Sequence, residues 1–116
     1  MSTTDAHDAA FLRIESLAEA RRLHEVERSS SYGTPALKVN DVAFARLLDP
    51  QTLVLQCPLE QKVLLMEISP DIYFDTDHYV GHEAVLVRLS AISDEELSLR
   101  LEDAWRFKAG SDKQKQ

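Results

Sequence analysis

The sequence predicts an α+β domain: a mainly antiparallel sheet with flanking helices, in the order α-β-β-β-α-β-β-α. Three observations carry this. Asn40-Asp41 lies between two apolar runs, and both residues tolerate the positive φ that a two-residue hairpin turn requires. Ala84–Ser90 is the most apolar strand candidate, with Val85, Val87 and Leu89 on one face and Ala84, Leu86 and Arg88 on the other. Ser93 and Glu96 form a capping box ahead of Leu97, Leu101, Ala104, Trp105 and Lys108 at helical spacing.

The first helix is expected from about Asp8 to Leu23, on a stripe of Ala10, Phe11, Ile14, Leu17, Ala18 and a snorkelling Arg21. Residues 1–8 and 110–116 read as flexible polar tails, with Gly110 as the helix stop. His24–Ser31 reads as a charged connection ending in three serines, which favour caps and loops. Tyr32-Gly33-Thr34-Pro35 is a turn. The hairpin Ala36–Val39 and Val42–Leu48 then places Val39 opposite Val42, Leu37 opposite Phe44, and Lys38 opposite Ala43. Thr52–Cys57 is the third strand. Pro58 opens a short helix with an amphipathic stripe of Leu59, Val63, Leu64 and Ile68, stopped by Ser69-Pro70. Ile72–Phe74 is a short strand, and Asp75–Glu83 is a polar loop entering the last strand.

A chain of 116 residues fits one domain, 1–116, large enough for a single core. No apolar run approaches the ~20 residues of a membrane span. The N-terminus has no signal-peptide pattern, so a cytoplasmic protein is expected. The single cysteine, Cys57, excludes an internal disulfide and multi-cysteine metal sites, and it reads as a buried, inert thiol. Twenty acidic residues against thirteen basic ones give a net charge of −7, which repels polyanions at long range. Nucleic-acid binding would therefore need a local cationic surface.

The loop bears Asp75, Asp77, His78, His82 and Glu83, residue types that bind divalent ions. His78 and His82 are four apart with Gly81 between them, so the helical geometry of an i, i+4 metal pair is missing, and a solvated loop is the plainer reading. His78 and Tyr79 also suit acid–base chemistry, but no nucleophile elbow or triad order accompanies them, and three glycines are too few for a phosphate-cradling loop. No catalytic residue, metal or cofactor is assigned. Lys38, Arg46 and Arg88 are strand-borne cations that, with Tyr32 and Tyr79 nearby, suit phosphate contacts and base stacking; ordinary ion pairs are the simpler account. Trp105 is expected in the core.

Several segments together resemble the MmcQ/YjbR family of small bacterial proteins. They are Ser31-Tyr32-Gly33-Thr34-Pro35-Ala36-Leu37-Lys38-Val39, Phe44-Ala45-Arg46-Leu47, Leu55-Gln56-Cys57-Pro58, Tyr73 through Gly81, Ala84 through Leu89, and Leu101 through Arg106. The ordered set Tyr-Gly-Thr-Pro, His-Tyr-x-Gly and Ala-Trp-Arg carries the resemblance. It implies a compact double-wing fold and a label of predicted DNA binding by fold analogy. It implies no catalytic residue set. Asp77 stands where a proline often precedes the matching histidine, and His82-Glu83 replaces an aromatic and a proline, which makes this loop more acidic. The expected function is a non-enzymatic binding module. Nucleic acid is the ligand the resemblance implies, on a surface of Tyr32, Lys38, Arg46, His78, Tyr79 and Arg88. The alternative is a protein-interaction or chaperone-like module with an acidic surface.

Overall fold

The computed structural model describes the backbone of residues 3–31 and 34–114, and the side chains of residues 9–29 and 34–110. Six strands form one antiparallel sheet in the order β1-β2-β3-β4-β6-β5. In chain order the elements are α1 (Thr3–Ala20), β1 (Glu27–Ser31), β2 (Thr34–Val39), β3 (Val42–Asp49), β4 (Thr52–Gln56), α2 (Leu59–Ile68), β5 (Tyr73–Phe74), β6 (Ala84–Arg88) and α3 (Asp94–Gln114). The predicted class holds, with one strand more than expected.

That strand is β1, in the segment read as a connection. Its sequence, Glu-Arg-Ser-Ser-Ser, has no β-branched or aromatic residue to announce it. It forms because β2 offers a free edge, pairing Glu27 with Lys38 and Ser31 with Thr34. A short polar strand also suits an outer edge, where an apolar one would invite aggregation.

The helix ends differ too. α1 begins at Thr3, inside the expected tail, and stops at Ala20 instead of Leu23, because Arg22 turns left-handed at φ 56°. α3 passes through Gly110 to Gln114, so residues 110–114 are not a loose tail. A glycine stop needs positive φ, and Gly81 alone among the described glycines has it. Within a helix a glycine costs only about 1 kcal/mol.

α1 and α3 pack on one face of the sheet. Phe11 and Ile14 from α1, and Leu97, Leu101 and Ala104 from α3, meet Leu37, Phe44, Leu47, Leu53, Leu55, Val85 and Val87 in the main core. Trp105 is half-buried against this core and donates its indole N–H to the His24 carbonyl at 2.9 Å. Cys57 is buried here, and burial pushes its thiol up to about 11.

The hairpin forms as expected at its turn: Asn40 and Asp41 have φ of 53° and 63°, Val39 faces Val42, and Lys38 faces Ala43. Beyond that the register slips. Leu37 faces Ala45, not Phe44, because Phe44 is the extra residue of a β-bulge. Strict alternation from Val42 would send Phe44 and Arg46 to the same face and Leu47 to the other. The bulge instead lets Phe44 and Leu47 both enter the core and turns Arg46 to the opposite face, beside Ala36.

No helix among the described residues is long and apolar enough to cross a membrane.

Candidate functional site

The second face of the sheet is only partly covered. Val54, Ala84 and Leu86 are buried on it, with Leu48, Phe74 and Tyr79 packed around them. The cover is the loop between β5 and β6, and its shape follows from local hydrogen bonds. The Thr76 carbonyl accepts from the Tyr79 and Val80 amides at 2.9 and 3.1 Å, and the Tyr79 carbonyl from the His82 amide at 3.0 Å. Asp75 accepts from the Thr76 amide at 2.9 Å, and Gly81 takes φ 80° to turn the chain back toward β6. The Cys57 amide then donates to the Glu83 carbonyl at 3.0 Å, continuing the β4–β6 ladder.

One side chain from outside the loop holds it. Lys62 on α2 is 3% exposed and reaches three acceptors: the Tyr79 carbonyl at 2.8 Å, the His82 carbonyl at 3.1 Å, and the Asp75 carboxylate at 3.0 Å. A lysine has three N–H donors, and here each finds a partner, which is the condition for burying one. Lys62 is not among the six residues expected to form the binding surface. A signal was available, since Lys62, Leu65 and Met66 lie at i, i+3 and i+4 and share a helix face. Leu65 and Met66 pack on the main core. The expected amphipathic stripe of Leu59, Val63, Leu64 and Ile68 is instead the exposed side of α2.

Between loop and sheet lies a groove of about 720 Å³ lined by Ala43, Ala45, Arg46, Leu48, Val54, Gln56, Thr76, His78 and Tyr79. Arg46 is fixed in its wall: Nη2 donates to the Tyr79 hydroxyl at 2.5 Å and Nη1 to the Thr34 hydroxyl at 3.3 Å. The His78 ring meets Tyr79 edge-on, with centroids 4.9 Å apart, and lies nearly parallel to the His82 ring at 6.3 Å. None of the described residues lining the groove is acidic, in a chain of net charge −7. The floor is apolar and its titratable rim is cationic or aromatic.

Of the six residues read as a binding surface, the structure brings Arg46, His78 and Tyr79 to the groove. Lys38 shares the face, paired with the lining residue Ala43 on one side and with Glu27 on the other. Arg88 is on the same face by its pairing with Thr52, but it is not part of the lining and stacks over the Phe74 ring at 4.1 Å. Tyr32 falls outside the described residues. Gln56, Thr76 and the apolar floor join the site only because β3, β4 and the loop converge. Among the described residues no group of three or more His, Cys, Asp and Glu side chains is placed to hold a metal ion.

No curated protein and no solved structure matches the chain. The YjbR family profile matches residues 21–107, which take in β1 to Phe107 of α3 and every residue lining the groove. The chain belongs to the YjbR family.

Proposed function

We propose that the protein is a non-enzymatic binding module whose groove takes an anionic ligand with a flat apolar body, the chemistry of an unpaired nucleotide in a nucleic-acid strand. The observation that carries this reading is the carboxylate-free groove with Arg46 and His78 on its rim and Ala43, Ala45, Leu48 and Val54 as its floor. A base packs its face on such an aliphatic floor by apolar contact, with Tyr79 as the aromatic wall and no hydrogen-bond readout, while guanidinium and ammonium groups take the phosphates. Arg46 is already oriented by Tyr79 and Thr34, so little rotamer freedom is lost on binding. Lys38 extends the cationic side toward the hairpin tip. A single strand suits the site better than a duplex, because a duplex would meet the acidic surroundings over a longer track.

Fluorescence anisotropy with a labelled single-stranded oligonucleotide tests this. Binding at low salt is expected, with a logarithmic salt slope of about −1.4 to −2.1 for two or three cations on a single strand. Arg46→Ala and Lys38→Ala each weaken it about tenfold, and a duplex of the same length binds less tightly. No binding of either form at low salt would sink the proposal.

A further inference from the structure

The outer face of α2 is a second surface, separate from the groove that its inner residue Lys62 helps to close. α2 is a ten-residue helix on which the one fully buried side chain is a lysine. Its apolar residues Leu59, Val63, Leu64 and Ile68 are 44%, 50%, 55% and 75% exposed. At about 100° per residue these four, with Glu60 and Glu67, occupy one continuous half of the helix. Glu60 and Glu67 run down its middle, with Leu59 and Val63 on one flank and Leu64 and Ile68 on the other. Neither glutamate makes an ion pair among the described residues. The opposite half carries Gln61, which binds Asp103 at 3.1 Å, the latch Lys62, and Leu65 and Met66 against the core. α2 is therefore anchored by its inner side and leaves an apolar face with an acidic midline to water, a pattern that marks interaction sites.

The charge on that midline decides the occupant. A second copy of this chain would bring Glu60 and Glu67 against the same two residues in either orientation, setting like charges together between apolar walls. An anionic surface is disfavoured for the same reason. We infer that the outer face of α2 docks a basic amphipathic helix, whose lysines or arginines meet Glu60 and Glu67 while its apolar residues cover Leu59, Val63, Leu64 and Ile68.

The test uses the full chain and two labelled helical peptides, one of leucine and lysine, the other of leucine and glutamate in the same pattern. The lysine peptide is expected to bind at least tenfold more tightly. Leu64→Ser with Ile68→Ser weakens it about tenfold, and Glu60→Lys with Glu67→Lys inverts the preference between peptides. A matched swap elsewhere, Glu19→Lys with Glu95→Lys, leaves the preference in place. All of these residues are on the surface, so circular dichroism and melting confirm an intact fold in each variant. Equal affinity for the two peptides, no binding, or a preference that the α2 swap does not invert would overturn the inference. So would a wild-type dimer in sedimentation velocity that Leu64→Ser with Ile68→Ser turns into a monomer, which assigns the face to a second copy.

Discussion

The two faces of the sheet are built from the same strands and held by different physics. On one face two helices bury a continuous apolar layer, and stability comes from area removed from water and close packing. On the other a loop covers three buried residues, and what fixes it is a small set of directed polar contacts centred on Lys62 and Arg46. Area-driven cover leaves a gap of about 260 Å³, between α1 and the β1–β2 edge. Contact-driven cover leaves a larger one of about 720 Å³, and that gap is the groove. The groove exists because the second face is closed by hydrogen bonds instead of by a helix.

Substitutions should separate the two regimes. Phe44→Ala, at a site with 0% exposure, is expected to cost about 3–5 kcal/mol by chemical denaturation, since it removes a large side chain from packed surroundings. Lys62→Met should cost less, about 2–4 kcal/mol, by leaving two carbonyls and a carboxylate short of a donor. Hydrogen exchange should rise at Tyr79, Val80 and His82 in that variant while the amides of β3 and β4 stay protected. Equal loss of protection on both faces would mean that the loop and the core are one cooperative unit. Tyr79→Phe takes one partner from Arg46 and should cost about 1 kcal/mol, with a larger proportional effect on ligand binding than on melting temperature.

Two titrating groups on the helix side give smaller effects. The Glu102 carboxyl is held below its ordinary value of 4.5, first by the hydrogen bond from Arg21 and then by the nearby Arg106. A depressed folded-state value stabilises above the unfolded value, and the gain is lost as pH falls through the folded one. Glu102→Gln should therefore narrow the gap in melting temperature between pH 6 and pH 3, with little change in the slope above pH 6. Cys57 is pushed up to about 11, mainly by burial, with Glu83 and Asp103 adding to the shift and Lys62 opposing it. At pH 8 its reaction with a thiol reagent should be much slower than that of an unfolded control, and should quicken only with denaturant. Fast labelling of the native protein would show that the core side opens as readily as the loop side.

The parts that the sequence made legible are those in which one local rule acts. The turn at Asn40-Asp41, the cap at Ser93 and the apolar alternation of β6 depend on neighbours within a few residues, and all three appear where they were read. The Glu96 amide donates to the Ser93 hydroxyl at 3.1 Å, one of the two contacts of a capping box, while the Glu96 carboxylate accepts from the Tyr73 hydroxyl, a partner that the tertiary structure supplies. β1 was illegible because its pairing comes from β2 and not from its own side chains. The direction of Arg46 was illegible because alternation predicts the wrong face once a bulge intervenes, and nothing in Val42-Ala43-Phe44-Ala45 announces the extra residue. α2 carried two stripes, and only packing chose between them.

Length, charge, the hairpin turn, the start of the last helix and the family motif set were fixed by the chain itself, because each is a matter of composition or short-range geometry. The site was not. Arg46, Gln56, Thr76, His78 and Tyr79 come from β3, β4 and a loop dozens of residues apart in places. They become neighbours through a β-bulge and a buried lysine whose three donors must each find an oxygen. Those requirements act through space, so only the tertiary structure could decide them.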